Sequence, residues 1–70
     1  MRKNEIYTLD DNLDYLVLSS FTMDGIEYVY LVEVDKQSNI ICGKIINGEL
    51  IMITDPTELN RFMLKVSEDL

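Results

Sequence analysis

Tyr15-Leu16-Val17-Leu18-Ser19-Ser20-Phe21-Thr22-Met23-Asp24-Gly25-Ile26-Glu27-Tyr28-Val29-Tyr30-Leu31-Val32-Glu33-Val34 decides the fold of this chain. Asp24-Gly25 is a dipeptide suited to a type I′ turn, in which both central residues take positive φ. A two-residue turn there fixes the pairing of the flanking segments. Met23 faces Ile26, Phe21 faces Tyr28, Ser19 faces Tyr30, Val17 faces Val32 and Tyr15 faces Val34, which gives a nearly all-apolar face. The opposite face pairs Thr22 with Glu27, Ser20 with Val29, Leu18 with Leu31 and Leu16 with Glu33. A slip of one residue would mix the two sets, because the side-chain period of a strand is two. Phe21–Tyr28 and Ser19–Tyr30 are the cross-strand pairs expected to stabilise the hairpin.

Asn47-Gly48 repeats the signal. It pairs Ile45 with Leu50, Gly43 with Met52 and Ile41 with Thr54. Upstream, a short strand leads through an Asp10–Asp14 turn into the first hairpin. Downstream, Asp55-Pro56-Thr57-Glu58 reads as a helix start, with Asp55 at N-cap, Pro56 at N1 and Glu58 completing a capping box. Leu59, Phe62, Met63 and Val66 then recur at helical spacing and form an apolar stripe. The predicted fold is α+β: a five-stranded antiparallel β-meander with one C-terminal helix packed on it. The strands are placed at residues 6–9, 14–23, 26–34, 40–46 and 49–54, and the helix at 56–68. All 70 residues belong to one domain. A single helix can cover one face of a small sheet, so the sheet either curls, as far as an SH3-like barrel, or leaves an apolar cluster for another chain. Leu16, Leu18, Val29 and Leu31 make up that cluster and are the candidate partner or dimer surface.

The composition excludes more than it assigns. Thirteen acidic residues against six basic ones give a net charge of −7, a field that repels phosphate backbones and anionic membranes. Direct nucleic-acid binding and membrane association are not expected. The longest uninterrupted apolar run, Val29 to Val32, is far too short to span a bilayer, and no signal-peptide pattern follows Met1. A cytoplasmic location is the expectation. The single cysteine, Cys42, cannot form an internal disulfide. With no histidine in the chain to serve as its base, it reads as a small apolar filler rather than a nucleophile. Asp10-Asp11-Asn12-Leu13-Asp14 opens like a calcium-binding loop. Tyr15 stands where that motif needs glycine, however, and Phe21 where it needs the bidentate glutamate. Ser19 and Ser20 lack a histidine partner, and Gly25, Gly43 and Gly48 are scattered singly, so no phosphate loop exists. No catalytic, metal-binding or cofactor-binding residue is assigned.

Asp24-Gly25-Ile26-Glu27-Tyr28-Val29-Tyr30-Leu31, together with the Tyr7-Thr8-Leu9-Asp10 opening strand, resembles the hairpin signature of the YrzB-like family. These are small acidic bacterial proteins grouped as domain of unknown function twelve-ninety-two. The resemblance extends over nearly the whole chain, although the Glu-rich loops common in that family are missing here. It implies a bacterial cytoplasmic protein with a two-hairpin sheet and a terminal helix. That family has no established activity, so the resemblance assigns no functional residue. The functional expectation is a non-enzymatic protein-interaction module or small homodimer, without a small-molecule substrate. The alternative is an acidic inhibitor of the kind mobile elements encode, imitating nucleic acid to occupy a basic host protein.

Overall fold

A computed structural model describes all 70 residues. Its elements run β1 (Ile6–Thr8), β2 (Asp14–Met23), β3 (Ile26–Glu33), β4 (Ile40–Ile46), β5 (Glu49–Met52) and α1 (Pro56–Asp69). The five strands form one antiparallel sheet in the order β1-β2-β3-β4-β5, curled into a half-barrel with the C-terminal helix on its outside. Both hairpin turns have the type I′ signature: φ is 54° and 76° at Asp24 and Gly25, and 52° and 80° at Asn47 and Gly48. The Asp55 side chain accepts a hydrogen bond from the Glu58 N–H at 2.9 Å, and Pro56 occupies the first turn, where its missing N–H has no partner to lose.

The first hairpin departs from simple pairing at one residue. Met23↔Ile26 through Ser19↔Tyr30 hold as the turn dictates, but the next partners are Val17↔Leu31, Leu16↔Val32 and Tyr15↔Glu33. Leu18 is the extra residue of a β-bulge, and beyond it every side chain of β2 changes face relative to β3. Tyr15 and Val17 thereby join Val29, Leu31 and Ile41 in a buried cluster on the inner face. Tyr7 and Leu9 from one edge of the sheet and Leu50 from the other pack on that same cluster, which is why the sheet curls.

A second core lies between the outer face and α1, where Tyr28, Ile53, Phe62 and Val66 are buried and Phe21, Met23, Ile26, Tyr30, Cys42 and Leu59 pack around them. The helical stripe is Leu59, Phe62 and Val66. Met63, expected in the core, is 40% exposed. Its position next to Phe62 turns it toward solvent because the helix meets the sheet along a narrow line. β5 ends at Met52, two residues short of the expectation, as the chain turns toward the helix cap after a last ladder bond from Ile53 N–H to the Cys42 carbonyl.

Candidate functional site: an uncovered apolar groove on the outer face

Alternation along β2, β3 and β4 places Ile26, Tyr28, Tyr30 and Val32 on the outer face with Phe21, Ser19, Leu16, Lys44, Cys42 and Ile40. The helix shelters only the half nearer the Asp24-Gly25 turn. On the other half lies a groove of about 510 Å³ lined by Ile6, Leu16, Leu18, Val32, Val34 and Ile40, with Glu33 and Gln37 at its margin. Ile6 is 57% exposed and Ile40 47%. Leu16 and Leu18 are half-buried.

The four residues expected to form a partner surface are therefore divided by the sheet. Leu16 and Leu18 line the outer groove, whereas Val29 and Leu31 are fully buried in the inner core and belong to no accessible surface. The bulge at Leu18 is the physical reason. It rotates the distal half of β2, so that Val17 and Tyr15, rather than Leu18 and Leu16, share a face with Val29 and Leu31. Ile6, Val32, Val34 and Ile40 were missed because their exposure depends on where the helix stops, which apolar alternation alone does not reveal.

Polar contacts fix the helix beside this groove. Tyr28 Oη donates to Glu58 Oε2 at 2.7 Å, and Lys44 Nζ lies 2.9 Å from both Glu58 oxygens. Lys44 and Tyr28 together hold the Glu58 carboxyl below its ordinary range. In return, the hydrogen bond to Glu58 and burial push the Tyr28 phenol up to about 12. At the other end of the helix, the buried Ser19 hydroxyl donates to Asp69 Oδ2 at 2.6 Å, and Lys3 pairs with the same carboxylate. The Ser19 and Lys3 contacts lower the Asp69 pKa. Arg61 pairs with Asp24 at the hairpin turn.

The remaining sequence candidates sit apart from the groove. Cys42 is half-buried on the outer face, and burial raises its thiol pKa, which disfavours the nucleophilic thiolate. Asp11 accepts hydrogen bonds from the Leu13 N–H and from Tyr15 Oη, so it is engaged in the turn and with the inner core. No three His, Cys, Asp or Glu side chains are grouped so as to hold a metal ion, and no helix is long and apolar enough to cross a membrane. Neither family models, curated proteins nor solved structures yield a match to this chain.

Proposed function

We propose that this chain is a non-enzymatic protein-interaction module that binds a partner protein through the outer groove of Ile6, Leu16, Leu18, Val32, Val34 and Ile40. One observation carries the reading: six aliphatic side chains form a continuous concave surface on half of a sheet face whose other half is buried under a helix. Apolar surface gathered in one place on a small domain is the usual mark of an interaction site. The charge supports a heterologous partner over a second copy, since each chain carries −7 and pairing two copies brings like charges together. Nucleic-acid mimicry finds less support. Glu58, Asp24 and Asp69 are each paired with a cation, Lys44, Arg61 and Lys3 respectively, which removes three carboxylates along the helix side from the charge a basic partner would meet.

Leu18→Asp tests the proposal. The side chain stands at a bulge on the groove surface, so the variant keeps its fold and a thermal midpoint within a few degrees of the parent, while Val29→Asp, in the inner core, unfolds. Light scattering measures oligomeric state, and affinity capture at low and high salt identifies what the parent retains. Salt-insensitive retention that Leu18→Asp abolishes is the expected result. Identical capture by the parent and Leu18→Asp overturns the groove reading, and a stable dimer lost in Leu18→Asp replaces the heterologous partner with a second copy.

A further inference from the structure

A different surface carries a separate inference. β1 and β5 are the two ends of the strand order, and neither has a neighbour on its outer side. The ladder phase shows which backbone groups face outward. Ile53 N–H donates to the Cys42 carbonyl at 3.0 Å, so Cys42 and Ile53 form a hydrogen-bonded position, as do Lys44 with Ile51 and Ile46 with Glu49 by alternation. Leu50 and Met52 therefore direct their N–H and C=O away from β4. On the other side, Val17 N–H to the Glu5 carbonyl and Leu9 N–H to the Leu13 carbonyl leave Thr8 directing its own groups away from β2. Thr8, Leu50 and Met52 all line a single cleft of about 620 Å³ between the two edges.

The cleft has an apolar floor of Leu9, Ile41, Leu50 and Met52. Met52, on a face where β-strand side chains are ordinarily covered, is 53% exposed. Met1 also lines the cleft, with its ammonium already paired with Glu27; the ionisable side chains are Asp10, Asp11 and Glu49, and no lysine or arginine side chain is among them. Both edge strands are short, three and four residues, but neither carries a lysine or a proline, and Glu49 is the one charge on them. We infer that this cleft accepts an extended segment of a partner protein as an added β-strand along β5, one that alternates apolar residues with lysine or arginine. The backbone of that segment bonds to Leu50 and Met52, its apolar residues cover the floor, and its cations meet Asp10, Asp11 and Glu49. Strand addition of this kind draws affinity from main-chain bonds and selectivity from the alternate side chains.

The experiment titrates the ¹⁵N-labelled chain with an acetylated, amidated octapeptide of alternating Lys and Val, and with its Glu-Val counterpart, at low salt. The Lys-Val peptide is expected to shift the Thr8, Leu50 and Met52 amides and to slow hydrogen exchange at Leu50 and Met52, a change that loose electrostatic association does not produce. Asp10→Lys combined with Glu49→Lys, both at exposed positions whose substitution leaves the amide spectrum dispersed, is expected to weaken binding by about tenfold. N-methylation of the Lys-Val peptide on alternate residues of its pairing edge is expected to abolish the exchange protection. Failure of the peptide to perturb these amides at millimolar concentration overturns the inference. So does equal binding of the Glu-Val peptide, or perturbation confined to the Leu16 and Leu18 groove.

Discussion

Phe62→Ala tests whether the helix is part of the core or a detachable arm. The Phe62 side chain is fully buried, with its ring centroid 5.6 Å from Phe21, 6.0 Å from Tyr28 and 6.2 Å from Tyr30. Truncating a buried phenylalanine costs about 3–5 kcal/mol from lost transfer energy and the cavity left behind. The three aromatic neighbours reach Phe62 from two strands that pair with each other, so they cannot collapse far into that cavity, which argues for the upper half of the range. Against a total of about 4–10 kcal/mol for a chain of this length, the loss removes a large fraction of the folding free energy. Arg61, one residue earlier, makes only an exposed ion pair with Asp24, and Arg61→Ala changes stability by about 0.5 kcal/mol or less. Urea titrations followed by far-ultraviolet circular dichroism separate the two. At about 1 kcal/mol per molar urea, Phe62→Ala moves the midpoint down by about 3 M or more, and Arg61→Ala by about 0.5 M at most. Equal, small shifts for both variants would refute the reasoning, since they require a helix that contributes nothing to the folded sheet.

Two further predictions use the rest of the structure. A Cβ built on Gly43 would stand 2.6 Å from Leu50 Cδ1 and 3.3 Å from the Ile51 carbonyl oxygen. Gly43→Ala therefore displaces Leu50 from the inner core and costs about 1–3 kcal/mol, while in a Leu50→Ala background, where only the Ile51 carbonyl contact remains, the same change costs less; a urea double-mutant cycle that finds the two substitutions additive contradicts this packing. The pH dependence follows from the helix anchors. The Glu58 and Asp69 carboxyls are held below their ordinary values of 4.5 and 3.8, so the stability they supply is present above those values and is lost as pH falls through the lowered ones. The Tyr28 phenol is raised from 10.0 to about 12, so its contribution is complete below 10 and disappears as pH rises from there to about 12. Urea midpoints measured across both ranges should show the alkaline loss in the parent and a flatter alkaline limb in Tyr28→Phe. Identical limbs in the two proteins would remove Tyr28 from the account.

The two hairpins, the helix cap and the strand order were legible because each rests on local chemistry: paired positive-φ dipeptides, a capping aspartate and a proline that only a first turn tolerates. The bulge at Leu18 was not. Bulges marked by glycine announce themselves, but Leu16, Val17 and Leu18 are all aliphatic, so no polar residue records which of them faces water. The surface reading fails at the same point. Val29 and Leu31 do lie opposite Tyr28 and Tyr30, but Leu16 and Leu18 do not share their face, because the pairing changes at the bulge, and the curled sheet buries Val29 and Leu31. Half of the groove lay beyond any local pattern. Ile6, Val34 and Ile40 come from three separate stretches of chain, and only the curled sheet brings them beside Leu16. The Ser19–Asp69 contact, between residues 50 apart in sequence, is of the same kind.

Whether the groove is a lasting surface depends on whether the helix could slide to cover it. A helix of 14 residues is about 21 Å long, too short to shelter a sheet that also extends past Leu16, so covering one half of the outer face uncovers the other. Its position on the turn-proximal half is fixed at both ends by unlike contacts: Glu58 to Tyr28 and Lys44 near the start, and Asp69 to Ser19 and Lys3 at the finish. Sliding along the sheet would break both sets at once. It would also withdraw Phe62 from its packing against Phe21, Tyr28 and Tyr30. Helix and groove thus divide the outer face between them. A surface of six aliphatic side chains that the fold cannot cover for itself is one that a partner can.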